Sequence, residues 1–438
     1  MYFLYSVLLF LGLLLFLPFA LFRFRKYSNT LGEKIWLDLP DFSPKGKTIW
    51  IHCVSVGELN AATPLIKKVR MEFPERQIAV STTTVTGRSL AEKNLAAIAD
   101  AIFYFPFDFA FSVRRALRQL KPELIILIET EIWPRFIKEA KSSGSLICIA
   151  NGRLSAKSFK RYKTIGFLIR AVLKNVDLII AQSESDAKRF ARFASADKIL
   201  TAANLKFDTG DGRPDFESNT PAKTIGQLSK RFSLDASPNL IIAASTHPGE
   251  DEIIIAAFEK IREVIKTRLL IAPRHPERAG DIASRLANKK FSFAVRSEEA
   301  AESDSNAEVI LLDSIGELKD IFRWGKICFI GGSLIKHGGQ NPLEPAARAL
   351  AIICGPHMEN FDSITELLLQ NHGIIKLAYD AGSAGQAADE LAEKILLLSR
   401  DEERAEQMGK AAAEVVERNR GGVDYTINQI KSLLQKRK

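Results

Sequence analysis

Short apolar runs of strand type alternate with segments of helical spacing along most of this chain, and that alternation restricts its fold more than any other feature. The first series of runs is 49–54, 78–82, 102–105, 124–128, 146–150, 178–181 and 199–202, with helical apolar spacing between them at 59–72 and 112–120. Strand, helix, strand repeated this way predicts a parallel sheet covered on both faces. A second series follows at 240–244, 269–272, 291–295, 309–312, 327–330, 351–354 and 373–377. Between the two, residues 208–238 turn polar and loop-like, which predicts a domain joint there. The expected fold class is α/β, two doubly wound halves with a cleft between them, and 438 residues at 46% apolar content supply a core for each. Residues 401–438 read as two helices divided by Gly421 and Gly422. Ligands of such sheets sit outside the carboxyl ends of the strands, so residues just after each run are the candidates for chemistry.

The amino-terminal residues 2–22 are uncharged and almost wholly apolar, enough to span a bilayer as a helix, and Arg23, Arg25 and Lys26 follow at once. A cleaved signal would carry its charge before the apolar part and end in small residues, so an uncleaved anchor over 1–26 is expected. The positive-inside rule then puts the rest of the chain in the cytoplasm. Four scattered cysteines, Cys53, Cys148, Cys328 and Cys354, agree with a reducing compartment. A net charge of +9 asks for an anionic partner. Nucleic acid is the weaker choice, because no DNA- or RNA-binding module is visible.

In the first half, Glu58 follows the run 49–54 through Ser55-Val56-Gly57. It reads either as a general base on a glycine-permitted turn or as a helix-start glutamate favoured by the macrodipole. Glu129 and Glu131 end the run 124–128, and capping of the helix after Pro134 is their plainer reading. Thr82, Thr83, Thr84 and Thr86 could line an anion or sugar site, and Arg153 to Lys163 form a basic stretch fit for lipid phosphate or for plain solvation.

The second half has its densest signal at 331–361, GGSLIKHGGQNPLEPAARALAIICGPHMENF. Here Asn341 reads as an N-cap, Pro342 as the first helical residue and Glu344 as a first-turn carboxylate that can accept from two ribose hydroxyls. Free main-chain N–H groups at such a start favour phosphate. Arg274 and His275 after 269–272 suit a phosphate or carboxylate, and 313–318, DSIGEL, suits a base or ribose. His247, His275, His337 and His357 lie near turns without the spacing of a zinc site, so neither metal nor cofactor is expected.

Taken in order, the anchor, SVGELNAATPLI from Ser55, STTTVTG from Ser81, ETEIWP from Glu129, NLKFD from Asn204, STHPGE from Ser245, PRHPER from Pro273, DSIGEL from Asp313 and GGSL to NPLEPA from Gly331 closely resemble the 3-deoxy-D-manno-octulosonic acid (Kdo) transferases. The resemblance implies a GT-B fold, with an acceptor domain at 27–208, a donor domain at 209–412 and a C-terminal helix at 413–438 packing back towards the first. It implies metal-independent, inverting transfer of Kdo from CMP-Kdo to a lipid A precursor at the inner membrane, in lipopolysaccharide core assembly. By matching motifs, Glu58 would be the base, and Glu129 and Lys206 would stabilise the transition state. Pro273, Arg274, Ile315, Gly316, Glu317, Asn341, Pro342, Leu343 and Glu344 would hold CMP. Gln340 departs from the histidine usual in the family, and Ala203 from the usual glycine; a neutral amide cannot carry charge, though it still donates. Rival readings are a UDP-sugar-dependent GT-B transferase acting on a lipid, a sugar-nucleotide epimerase of the same fold, and a noncatalytic scaffold on anionic lipid.

Overall fold

The computed structural model describes residues 45–208, 221–237 and 239–436, together with positions 5, 6, 9, 11, 12, 34 and 42. The expected anchor therefore lies, apart from a few positions, outside the described residues. Among the described residues no helix is long and apolar enough to cross a membrane.

All fourteen expected runs are strands, with ends displaced by two residues at most. The chain divides into two units, 1–209 with 419–438, and 210–418. In the first unit the strands are β1 (Thr48–Cys53), β2 (Gln77–Thr82), β3 (Ala101–Tyr104), β4 (Pro122–Ile128), β5 (Leu146–Gly152), β6 (Leu178–Ala181) and β7 (Ile199–Thr201). They form one parallel sheet in the order β3-β2-β1-β4-β5-β6-β7. Its helices are α1 (Val56–Glu72), α2 (Val85–Leu95), α3 (Ala110–Leu120), α4 (Pro134–Ser142), α5 (Ala156–Thr164), α6 (Gly166–Leu173) and α7 (Glu184–Phe190). One face of the sheet packs Trp50, Phe103, Ile125 and Ile147 against Val113, Phe136 and Ile169 of α3, α4 and α6. The other packs Ile49, Ile51, Val80 and Ile126 against α1, α2 and the C-terminal helix Gly422–Gln435. Consecutive strand residues thus go to opposite cores, which is why the runs are apolar throughout instead of alternating.

The second unit holds β8 (Leu240–Thr246), β9 (Arg268–Pro273), β10 (Phe293–Val295), β11 (Val309–Leu311), β12 (Gly325–Ile330), β13 (Ala351–Cys354) and β14 (Ile374–Lys376). They are ordered β10-β11-β9-β8-β12-β13-β14, again all parallel. Its helices are α8 (Ala222–Phe232), α9 (Asp251–Arg262), α10 (Ala279–Asn288), α11 (Leu318–Ile321), α12 (Leu343–Ala347), α13 (Asp362–Gln370), α14 (Ala384–Arg400) and α15 (Glu402–Arg418). The helix Gly422–Gln435, α16, returns to the first unit, where Asp208 accepts from the main-chain N–H groups of Gly421 and Val423, each at 2.8 Å. The return comes later than the expected residue 413, because α15 runs unbroken to Arg418 and buries Met408, Ala412 and Val416.

Each sheet has one place where the chain leaves a strand and later comes back on its other side: β1 beside β4, and β8 beside β12. At such a switch the loops part and leave a crevice at the strand ends.

Candidate functional site

At the first switch, Ser55 caps α1 by accepting from Glu58 N at 3.3 Å, and the Glu58 carboxylate folds back to accept from Val54 N at 2.6 Å. This is a capping arrangement of the Ser-x-x-Glu type. Gly57 sits in the first helical turn, and a Cβ there would meet only Ser55 Oγ, so the expected glycine-permitted turn is absent. The helix-start role of Glu58 is real, and the carboxylate nonetheless lies at the strand ends. Burial is the main cause that pushes its pKa up to about 8; the Val54 N–H pulls the other way, and Glu129 and Glu131 add to the rise. Burial, with Glu129 beside it, also raises Glu131 to about 7.

Glu129 leaves β4 with φ 59°, a left-handed conformation that few side chains adopt. Its N–H donates to Ala150 O at 2.9 Å, holding that turn against β5. Asn151, at the end of β5 and also left-handed at φ 55°, accepts from Leu205 N at 3.0 Å and so fixes the short 3-10 turn Leu205–Asp208. That turn sets Lys206 Nζ 3.8 Å from Glu129 Oε1. Burial lowers the Lys206 pKa, Glu129 and Glu58 oppose this, and Arg153 adds to it. Residues 58, 129 and 206, distant in sequence, are within electrostatic reach of one another, with Glu131 and Arg153 joining them.

Several buried polar atoms along the same strand ends have no hydrogen-bond partner: His52 Nε2, Thr82 Oγ1, Thr83 Oγ1, Thr130 Oγ1 and Asn151 Nδ2. Buried polar groups are almost always satisfied, so an edge with this many open ones suits a polar ligand or its water. His52 is buried and stacked on Phe105 at 3.9 Å, with Nδ1 2.9 Å from Ser81 Oγ. Burial pushes its pKa down to about 3, so the ring is neutral. Thr84 has a structural role, accepting from Gly87 N to cap α2.

At the second switch the glycine-rich turn after β12 closes on a buried carboxylate. The N–H groups of Gly332, Ser333 and Leu334 donate to Glu250 at 2.6, 3.0 and 2.9 Å, and His247 N donates to the same carboxylate at 2.9 Å. Burial raises the Glu250 pKa while these four N–H groups pull it back, and the donors of the turn are taken up by its carboxyl group. Cationic and imidazole side chains stand beside this clasp: His247 is 4.1 Å from His337 and 6.0 Å from His275 between ring centroids. Burial, then His337, His275, Arg274 and Arg278, push His247 down to about 4. Gln340 Nε2 lies 2.9 Å from His247 Nε2, which makes the amide the donor and the ring nitrogen the acceptor. Arg274 extends from the end of β9 with an exposed side chain, its N–H bonded to Thr246 O at 2.9 Å. Among the described residues no group of His, Cys, Asp and Glu is arranged to hold a metal ion.

The other donor-site candidates also lie at this edge. Asn341 Oδ1 accepts from Leu343 N at 3.0 Å, but α12 begins at Leu343 with Pro342 in the N-cap position, so the asparagine stands one residue before the cap it was expected to be. Asn341 Nδ2 donates to Glu344 at 3.3 Å, and burial raises the Glu344 pKa. Pro273 is buried at the end of β9, while Ile315 and Gly316 form an exposed turn. Glu317 is buried and bonded to Arg296 at 3.0 and 3.1 Å, so its carboxylate braces that turn. The glutamate clasp and the histidine cluster escaped sequence reasoning. Their signal was present in STHPGE after β8 and in the His337–Gln340 stretch after β12, but only the strand order makes these neighbours.

The description of the 3-deoxy-D-manno-octulosonic-acid transferases (kdotransferases) matches residues 26–209. A 3-deoxy-D-manno-octulosonic acid transferase of Haemophilus influenzae is 34% identical over 416 residues, 94% of this chain and 93% of that protein. One of Bordetella pertussis is 30% identical over 329 residues, 73% of each. Among solved structures, a glycosyltransferase of Rickettsia africae superposes with a TM-score of 0.57 at 13% identity, covering 89% of this chain and 99% of that one. The UDP-GlcNAc 2-epimerase of Neisseria meningitidis gives 0.57 at 12% identity, covering 85% and 99%. These two likenesses concern the fold.

Proposed function

The chain belongs to the Kdo transferase family of glycosyltransferases, and from that premise we propose that it moves Kdo from CMP-Kdo to a hydroxyl of a lipid A precursor, with inversion, in lipopolysaccharide biosynthesis. Glu58 removes the proton of the acceptor hydroxyl. The freed oxygen bonds to the anomeric carbon of Kdo as the bond from that carbon to the CMP phosphate breaks, and CMP leaves with the electron pair. A carboxyl held at about 8 is a far stronger base than an ordinary glutamate, and near neutral pH it still spends part of its time ionised. Lys206 and Glu129 hold a compensated charge pair beside it, which steadies the charge that develops during transfer.

For the donor, the reading is supported by the cluster at the second switch. Arg274, His275 and His337 supply positive or donor groups for the phosphate. Asn341 and Glu344 supply amide and carboxyl groups for the ribose, and the exposed turn Ile315–Gly316 lies along the same strand ends. Anchorage at the cytoplasmic face of the inner membrane is proposed from the apolar stretch 2–22 and the cations that follow it.

The convergence of Glu58, Glu129 and Lys206 at one switch carries the proposal. Its test is Glu58→Gln in the purified full chain with CMP-Kdo and a tetra-acylated lipid A precursor. Loss of turnover by 10²-fold or more, about what one general base contributes, with CMP binding retained, is the expected result. Undiminished turnover removes Glu58 from the mechanism, and displacement of the donor by UDP as effectively as by CMP rejects the donor.

A further inference from the structure

The two helical layers of the first unit differ in charge. On one side, α3 and α4 carry three Lys or Arg each, α5 four, α6 one and α7, which packs on the same face, two, against three acidic residues, Glu184 and Asp186 of α7 and Glu139 of α4. Glu139 is already bonded to Arg114 at 2.7 Å and Arg135 at 3.2 Å. On the other side, α1, α2 and α16 mix six cations with four acids. The basic layer also exposes large apolar side chains. Phe111 of α3 is 58% exposed and stacks on Phe109, while Ile165 and Phe167, at the elbow between α5 and α6, are 41% and 68% exposed. Arg115 and Arg118 flank the first, and Lys163 and Arg170 the second, all exposed.

The segment that follows the amino-terminal apolar stretch meets this layer. Lys34 O accepts from Phe107 N at 2.8 Å and from Ser112 Oγ of α3 at 3.2 Å, and Phe42 packs in the core beneath α3. A polypeptide emerging from a bilayer after residue 26 would thus bring the basic layer close to the lipid headgroups.

We propose that the outer surface of α3, α5 and α6 rests on the anionic face of a phospholipid bilayer, with Phe111, Ile165 and Phe167 entering the headgroup region and the surrounding Lys and Arg meeting lipid phosphates. Apolar side chains ringed by cations are the pattern that binds such a surface, through buried apolar area and attraction to anionic lipid together. The inference rests on the membrane reading above and adds which surface faces the lipid.

The native cysteines Cys53, Cys148, Cys328 and Cys354 are all buried, so an introduced surface cysteine can be labelled alone. Phe111→Cys, Phe167→Cys and Met71→Cys, the last on the mixed layer at a position 73% exposed, are each labelled with an environment-sensitive fluorophore in the full chain. The chain is then reconstituted into vesicles of phosphatidylcholine with or without phosphatidylglycerol. Blue-shifted emission and quenching by lipid-borne quenchers at 111 and 167 but not at 71 are expected. Both effects should weaken without phosphatidylglycerol, at high salt, or when Arg115 and Arg118 are changed to Glu. Labels at 111 and 167 that behave like the one at 71 while the chain still floats with the vesicles would overturn the proposal and leave the anchor standing. A shift produced equally by single-stranded RNA without vesicles would overturn it in favour of nucleic acid. None of these readouts needs turnover, so they stand apart from the test of the transferase reading.

Discussion

The main-chain N–H of Val54 donates to the carboxylate of Glu58 across 2.6 Å, so the side chain assigned as base also closes the first turn of α1. Glutamine can keep that bond through its carbonyl oxygen and alanine cannot. Glu58→Ala is therefore expected to be less stable than Glu58→Gln by about 1 kcal/mol, the usual worth of a cap, while both lose turnover. Chemical denaturation followed by circular dichroism checks the difference.

Because the folded-state pKa of Glu58 is raised to about 8, the folded protein holds that proton more tightly than the unfolded chain does. Its contribution to stability is complete below the ordinary carboxylate range and is lost as pH rises through about 8. The melting temperature of the native protein should accordingly fall more between pH 6 and pH 9 than that of Glu58→Gln, as scanning calorimetry of the two would reveal.

Catalysis takes the opposite sign, since only the ionised carboxylate accepts a proton. The rate at saturating substrate should climb with pH and level off above about 8. Glu131→Gln removes one of the negative charges that raise this pKa, so its profile should level off at lower pH. An unmoved limb in that variant would separate the observed ionisation from Glu58.

Lys206→Met leaves Glu129 without the cation 3.8 Å away and removes a positive charge from the strand-end cluster. A fall in kcat of about 10²-fold, in the range found when one stabilising group is deleted, is expected with little change in CMP affinity. Steady-state kinetics beside equilibrium CMP binding distinguishes this from a general loss of structure.

In the second unit, Glu250→Gln would point an amide N–H at main-chain donors that now share a carboxylate. Leaving one such buried donor unpaired costs about 1–3 kcal/mol, and CMP binding should weaken along with thermal stability. Gly331→Ala probes the same turn sterically, because its Cβ would fall 2.3 Å from Ser245 O. Isothermal titration with CMP reads both variants, and unchanged affinity in both would detach the clasp from donor binding.

Much of the fold was legible because its code is local. Fourteen apolar runs bounded by turn residues became fourteen strands, and the helix expected to start at Pro342 starts one residue later, at Leu343, whose N–H bonds to Asn341. Residues 58, 129 and 206 were picked out by motif, and the structure brings them together. What proved misleading was also local: Gly57 looked like a turn glycine but lies in a helix, while nothing in the glycine-rich turn announced that Gly332, Ser333 and Leu334 donate to Glu250. A carboxylate some 80 residues earlier in the chain leaves no mark on the turn it fills.

Sequence alone determined the strands, their parallel sense and the kinds of side chain at their ends, because burial on both faces imposes continuous apolar runs and a helical return. Only the tertiary structure decided that β1 lies beside β4 and β8 beside β12. That order depends on pairings such as Ile51 with Ile126 and Ala244 with Ile330, in which the partners are far apart in the chain and any apolar neighbour would satisfy the local pattern equally well. The same adjacency turns separate strand-end residues into a buried carboxylate beside an ion pair, and so gives Glu58 the shifted pKa on which the proposed chemistry depends.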